Sequence, residues 1–311
     1  MSAVQPLAAS DTLGEAAPVP RTFGLVAHRR HRTAHGSAHT CALAHWAHAS
    51  EPAVRALQLR IAAVGGAADA LERLGLLQTL PALHRLPYGH EGGLMKLVSR
   101  VAGGIRPEDE LAGVVYLMDP LDPSSLYPEA QALKRQCVTH RKPLLLTMAA
   151  AIEWMAVEWA NAGGPALRGD TAGCIRPLAQ QALALIAHDS MKARMVEFAD
   201  QHFEVLSRTP VRYATGTTGR KLNELAWARG WPAETPWVHP FRSGPMGGDA
   251  QIAELVLDRR CQKVIFFEDV HVARQHEADI QLLERAVCSV GDEAACLHTF
   301  DMADAWAKAW R

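Results

Sequence analysis

Short apolar runs alternate with helical periodicity along most of this chain, a pattern that predicts strands separated by helices. In the C-terminal part, Ala182–Ala187 (ALALIA) is a continuous apolar run of strand length that stops at His188-Asp189. A helix-like stretch follows over Met191–Leu206, then the short run Val211–Ala214 leading into Thr215-Gly216-Thr217-Thr218-Gly219. Gln251–Arg259 reads as helix, Lys263–Phe267 (KVIFF) as strand, Ala278–Val287 as helix, Ala294–Leu297 as strand and Met302–Trp310 as a closing helix. Strands that are apolar throughout, rather than alternating, belong to sheets buried on both faces. The expected fold class is therefore α/β, a parallel sheet flanked by helices.

The N-terminal part repeats this rhythm. Phe23–Ala27 (FGLVA) stops at His28 as ALALIA stops at His188, and Ile61–Val64 runs into Gly65-Gly66 as Val211–Ala214 runs into Thr215-Gly216. Gly92-Gly93 takes the place of Gly247-Gly248, and Val114–Asp119 (VVYLMD) that of Val264–Asp269 (VIFFED). Helix-like Glu129–Val138 and the strand Pro143–Thr147 follow. Four landmarks in one order predict two tandem copies of a single Rossmann-like unit. The expected organisation is a flexible tail over residues 1–21, a domain over 22–159, a linker over 160–180 and a second domain over 181–311. The linker is placed where Gly163, Gly164, Gly169 and Gly173 cluster.

Composition narrows the function. The chain has 311 residues, 49% hydrophobic and 21% charged, enough apolar material for sizeable cores. Lys and Arg number 32 against 33 Asp and Glu, a formal net charge of −1. Such balance argues against a surface that coats nucleic acid or an anionic membrane, and leaves room for a local anion pocket. No apolar stretch reaches the ~18 residues that cross a bilayer, and Met1–Arg21 has no secretory pattern. Six scattered cysteines (Cys41, Cys137, Cys174, Cys261, Cys288, Cys296) suit a reduced, cytoplasmic chain.

The polar clusters that follow the apolar strands carry the candidate chemistry, because ligands of open parallel sheets bind beyond the carboxyl ends of the strands. Thr215-Gly216-Thr217-Thr218-Gly219 offers hydroxyls and backbone N–H groups at the opening of a helix, which suits a phosphate. Lys192 adds a point charge, and His276 suits polarising a carbonyl or moving a proton. Asp249 follows two glycines in Ser243-Gly244-Pro245-Met246-Gly247-Gly248-Asp249, a turn that lets a carboxylate approach a substrate closely. Each feature alone also has a plain reading: a capped turn, a helix-capping aspartate, a structural histidine, a solvated lysine.

Together these motifs resemble methylglyoxal synthase over roughly Ala182–Asp304: His188-Asp189-x-x-Lys192, Ala214-Thr-Gly-Thr-Thr-Gly219, Ser243-Gly-Pro-Met-Gly-Gly-Asp249, and Phe266-Phe267-x-Asp269 leading to His276 and Asp279. The resemblance implies a flavodoxin-like domain that converts dihydroxyacetone phosphate to methylglyoxal and inorganic phosphate without cofactor or metal. It implies Asp249 as catalytic base and His276 on the carbonyl side. His188, Lys192, Thr215, Gly216, Thr217, Thr218, Ser243 and Gly244 would hold the phosphate and its surroundings, with Asp189, Asp269 and Asp279 as supporting acids. Phosphate would be product and possible inhibitor, and the family's hexamers imply a homo-oligomer.

The chain departs from the family pattern in several places. Asp269-Val270 stands for Asp-Pro, Ala295 for a proline, and His298-Thr299 for Thr-Asn. The interval from Gly219 to Ser243, holding Trp227, Trp231 and Trp237, reads as a loop insertion. A C-terminal phosphate-binding arginine of the family is missing, leaving Arg242, Arg274 or Arg311 as substitutes. The N-terminal copy is degenerate: Leu94 stands at the base position, Arg29 after His28, Val64-Gly65-Gly66-Ala67 in place of the threonines, and Leu126 for the second histidine. It retains Asp119-Pro120-Leu121. That copy is expected to be catalytically dead and structural, or to bind another ligand through Gly89–Gly93 and Lys96. Six histidines cluster from His28 to His48, with His31, His35 and His39 at helical spacing for a metal; with no Cys or carboxylate partner, a solvated segment is the preferred reading. The rival to catalysis is a phosphometabolite-binding regulatory module of the same fold. Against it stands Asp249, since a carboxylate beside a bound anion is repulsive unless it does chemistry.

Overall fold

The computed structural model describes residues 20–33, 41–77, 80, 82–169, 175–271 and 277–311. The first half contains β1 (Thr22–Ala27), α1 (Arg29–Arg32), α2 (Ala42–Ala56), β2 (Arg60–Val64), α3 (Gly65–Arg73), β3 (Leu83–Leu86), α4 (Gly93–Val101), β4 (Gly113–Leu117), α5 (Pro128–Thr139), β5 (Leu144–Leu145) and α6 (Met148–Asn161). The second contains β6 (Ala182–Ala187), α7 (Lys192–Gln201), α8 (Phe203–Ser207), β7 (Val211–Thr215), α9 (Gly216–Ala228), β8 (His239–Phe241), α10 (Gly248–Leu257), β9 (Lys263–Phe267), α11 (Glu277–Ser289), β10 (Ala295–Leu297) and α12 (Phe300–Ala309).

Two five-stranded sheets form, ordered β3-β2-β1-β4-β5 and β10-β9-β6-β7-β8. Every strand pairing is parallel. Numbered within its own half, each sheet runs 3-2-1-4-5, the Rossmann order, so the expected α/β class holds with this winding. The chain reverses direction across each sheet beside its first strand. This opens a crevice at the carboxyl ends of β1 and β4, and again at those of β6 and β9.

Period-two alternation divides each strand between two cores. Leu183, Leu185 and Ala187 of β6 join a cluster that also takes in Phe23, Leu25 and Ala27 of β1, so one core runs through both halves. Ala184 and Ile186 face a separate core under α10 and α11, and Val26 a third. The shared core is built on α6, which packs against α2 on one side and α12 on the other. Its sequence MAAAIEWMAVEWAN is apolar nearly all round, the composition of a helix enclosed by protein.

Buried charge links the halves. Glu153 on α6 pairs with Lys263 on β9, and its other oxygen accepts Trp306 Nε1–H at 3.0 Å. Lys134 on α5 pairs with Glu284 on α11 and lies 3.5 Å from Glu268. Glu268 bonds His298 Nδ1 at 2.8 Å. Burial alone would push the His298 imidazolium down, but Cys296 and the Glu268 carboxylate raise it to about 10. Burial likewise would raise Glu268, and Lys134 and His298 hold it down at about 2. The segment after α6 also docks, with Leu167 N–H donating to Ala309 O at 2.8 Å.

Several expectations change. The interval from Gly219 to Ser243 is no loop insertion: α9 continues to Ala228 and β8 closes the sheet edge. Trp237 there is buried, stacked 4.9 Å from Phe203 and donating to Ser207 Oγ. The single helix expected over Met191–Leu206 breaks at His202, where φ is −117° and Nε2 bonds Asp304 Oδ1 at 2.9 Å. The strand expected over Pro143–Thr147 is only Leu144–Leu145, because Thr147 leaves the sheet to cap α6. Most of the expected tail, His35, His39, Cys174 and part of the expected linker lie outside the described residues. The other five cysteines are buried and free of disulfides. Among the described residues no helix is long and apolar enough to cross a membrane.

Two outcomes test this junction. Glu153→Ala leaves Lys263 buried without its carboxylate, which costs about 3–5 kcal/mol of unfolding free energy in urea titrations. Because the folded His298 pKa is raised, its contribution is complete below about 6.5 and is lost as pH rises through about 10. The Tm penalty of His298→Ala is therefore largest near pH 6 and shrinks toward pH 10, whereas a penalty independent of pH contradicts the pairing.

Candidate active site

The site begins where β6 ends. His188 N–H donates to Phe267 O at 3.1 Å, and His188 Nδ1 accepts the backbone N–H of Asp269 at 2.8 Å. A neutral imidazole that accepts at Nδ1 carries its proton on Nε2, which makes His188 a donor. Its ring stands edge-on to Phe266, with centroids 4.9 Å apart. Lys192 opens α7 four residues later and holds Asp189 Oδ1 at 2.6 Å, while Asp189 itself is largely in solvent.

The threonine run forms the facing wall. Thr215 closes β7 and Gly216 opens α9, so the hydroxyl-bearing first turn lies at a helix N-terminus. Gly216 N–H donates to Arg242 O at 3.1 Å, and a Cβ at Gly216 would stand 2.8 Å from Ser243 Cα. Only glycine allows these two loops to cross so closely. Thr218 is 1% exposed, and its hydroxyl has no hydrogen-bond partner among the described residues.

The third wall is the turn from Ser243 into α10. Gly247 takes the left-handed conformation at φ 90°, and the chain turns directly into the helix. Asp249 falls in the first turn of α10 and is 2% exposed. A Cβ on Gly244 would meet Asp249 Oδ2 at 2.7 Å, so the bare Gly244 backbone makes room for the carboxylate.

These walls enclose a cavity of about 60 Å³. His188, Asp189 and Lys192 line it from β6 and α7, Thr215, Thr217 and Thr218 from β7 and α9, and Ser243, Gly244 and Asp249 from the α10 turn. That volume is well below the ~300–1,000 Å³ of pockets that take larger ligands. Pro245 and the apolar floor of Ile186 and Phe266, which alternation along β6 and β9 directs here, were not singled out from the sequence as site residues.

Gly216 and Asp269 stand just behind the lining. The Asp269 carboxylate accepts Ser190 Oγ–H at 2.5 Å and His271 N–H at 3.0 Å, while its backbone orients His188. His276 and Arg274 lie outside the described residues, as does the side chain of Asp279. Neither remaining arginine substitute reaches the cavity: Arg242 is exposed, and Arg311 bonds Gln201 O and His202 Nδ1 at the end of α7. Lys192 is the single Lys or Arg side chain lining the cavity among the described residues. Those residues also hold no group of three or more metal-ligating side chains; His31 instead bonds Met118 O at 2.9 Å.

The chain is an α/β protein with a small polar crevice of hydroxyls, one lysine, a donor histidine and a buried carboxylate at the winding reversal of a parallel sheet, a make-up that suits a small anion. No family model matches the chain. A methylglyoxal synthase of Thermus thermophilus is 44% identical over 110 residues, covering 35% of this chain and 79% of the relative. One from Geobacillus thermodenitrificans is 44% identical over 108 residues, covering 35% of this chain and 68% of the relative. The crystal structure of methylglyoxal synthase from Elizabethkingia anophelis covers 40% of this chain and 74% of its own, at 30% identity and a TM-score of 0.32. The chain belongs to the methylglyoxal synthase family.

Inorganic phosphate is the simplest probe of the crevice. Titrated by calorimetry, it binds the wild-type chain, and Lys192→Gln weakens it at least about tenfold, a loss of about 1.4 kcal/mol. Unchanged affinity in that variant places the anion elsewhere.

Proposed function

We propose that the second half converts dihydroxyacetone phosphate to methylglyoxal and inorganic phosphate. The observation that carries this reading is a buried carboxylate, Asp249, in the wall of the same small cavity as the threonine hydroxyls and Lys192. An anion sensor gains nothing from an acid there, whereas a proton abstraction beside a phosphate requires one.

In the proposed reaction Lys192, Thr217, Thr218 and Ser243 hold the phosphate. Asp249 removes a proton from the hydroxymethyl carbon, and its electron pair forms the enediolate with the former ketone carbon. The His188 Nε2–H stabilises the oxyanion that develops. The enediol hydroxyl then loses its proton and becomes the aldehyde as the double bond shifts and the C–O bond to phosphate breaks. Phosphate leaves with the bonding pair, and the remaining enol takes a proton on its terminal carbon to give methylglyoxal. Elimination needs the breaking C–O bond out of the enediolate plane, an angle that a cradle with donors on three walls can impose. His276 is assigned to the carbonyl side by the resemblance alone.

We further infer two tandem domains, over 22–159 and 181–311, from one duplicated unit. The shared strand order and the matched histidines support this: His28 accepts Asp119 N–H at 2.9 Å just as His188 accepts that of Asp269.

The purified chain given dihydroxyacetone phosphate is expected to release methylglyoxal and phosphate in equal amounts. Asp249→Asn lowers kcat by about 10²–10⁴-fold while phosphate still binds. Equal rates in wild type and Asp249→Asn refute the base assignment, and binding without turnover in the wild type favours the regulatory module.

A further inference from the structure

The first half holds a cavity of about 500 Å³ at the place that corresponds to the small crevice of the second. We propose that it binds a ring-bearing organic phosphate, too large for the second site, and does not transform it.

The enlargement follows from substitutions at matched positions. Where Thr217 and Thr218 fill the second site, Gly66 and Ala67 leave space, and Leu94 replaces the carboxylate of Asp249. Without an acid at Leu94 the proposed proton abstraction has no base. The cation survives and is enlarged: Arg32 stands where Lys192 stands, four residues after the strand-end histidine. Its guanidinium lies over Gly66, where a Cβ would meet Nη1, so the missing side chain is what admits the arginine. Arg32 makes no ion pair among the described residues, and its buried Nε has no hydrogen-bond partner there.

Several of the other titratable groups in the lining are already engaged. Asp69 is held by Arg85 and by Tyr88 O–H. Asp122 accepts Ser124 N–H and Oγ–H at 2.9 and 2.7 Å. His28, lowered by burial, is neutral and shares Nε2 with Tyr116 OH at 2.7 Å. Arg29 also lines the cavity but is exposed, so Arg32, over Gly66 and with a buried Nε, is the inner cation left for an anion, and a planar fork suits a phosphoryl head. Beyond it the wall changes character. Leu94 and Met95 are apolar, while Tyr127, 55% exposed, offers a ring face at the mouth. Glu129 adds an acceptor for a hydroxyl or amino group on the ligand. An anionic head beside Arg32 and a flat body toward Tyr127 match this order of surfaces.

Calorimetry on the full chain tests the assignment with phenyl phosphate and adenosine 5′-monophosphate, and with inorganic phosphate as the ringless control. Both ring-bearing probes are expected to bind with Kd below about 1 mM. Arg32→Gln should weaken them at least tenfold, and Lys192→Gln should not. The Arg32 carbonyl, which takes the Arg73 hydrogen bond, is retained in that variant. Tyr127→Ala, at an exposed side chain, should weaken phenyl phosphate while leaving inorganic phosphate unchanged. No binding of either ring-bearing probe up to about 10 mM overturns the proposal. So does binding that Lys192→Gln abolishes and Arg32→Gln spares.

Discussion

A parallel sheet has two faces to cover, and in this chain α6 lies between α2 and α12 in the one core that runs under a face of both sheets. That position makes α6 apolar nearly all round and places Glu153 where water cannot reach it. A buried carboxylate needs a charged partner, and Lys263 on the far sheet supplies it. The junction is therefore part of the folding core of each half. It also holds both sheets at their flanks and leaves the carboxyl ends of β1, β4, β6 and β9 open for binding.

The two crevices show what one frame permits. In both, a histidine at the strand end is clamped by the N–H of an aspartate after the fourth strand. What differs is the filling. Tyr116 in the first half occupies the histidine's outer nitrogen, and Phe266 at the matching register in the second has no hydroxyl with which to do so. Threonines and an aspartate make one site tight and polar; glycine, alanine and leucine make the other wide. Backbone and chemistry have separated cleanly.

Much of this was legible from residue patterns. Strands buried on both faces read as apolar runs, and functional groups sit in the loops directly after them, so the motifs are short and local. Edge strands were harder: β3 (LHRL) and β8 (HPF) are half exposed and carry no apolar run. Helix α6 escaped because a helix enclosed on all sides has no stripe to detect. In α2, the exposed His45 and His48 drew attention from the buried Leu43, Trp46 and Val54 behind them. The size of the first cavity was also hidden, since it depends on volume lost from several loops that meet only in the fold.

The pair Lys134 and Glu284 carries a consequence of its own. These residues are 150 apart, as are Asp119 and Asp269, so they hold the same position in their respective halves. Two identical subunits meeting about a two-fold axis present an axial residue to its own copy, lysine to lysine or glutamate to glutamate. Such a contact repels. Joining both halves in one polypeptide lifts that restriction, because each position can then diverge separately. The attraction between Lys134 and Glu284 is an asymmetry that two identical subunits cannot write into matching positions.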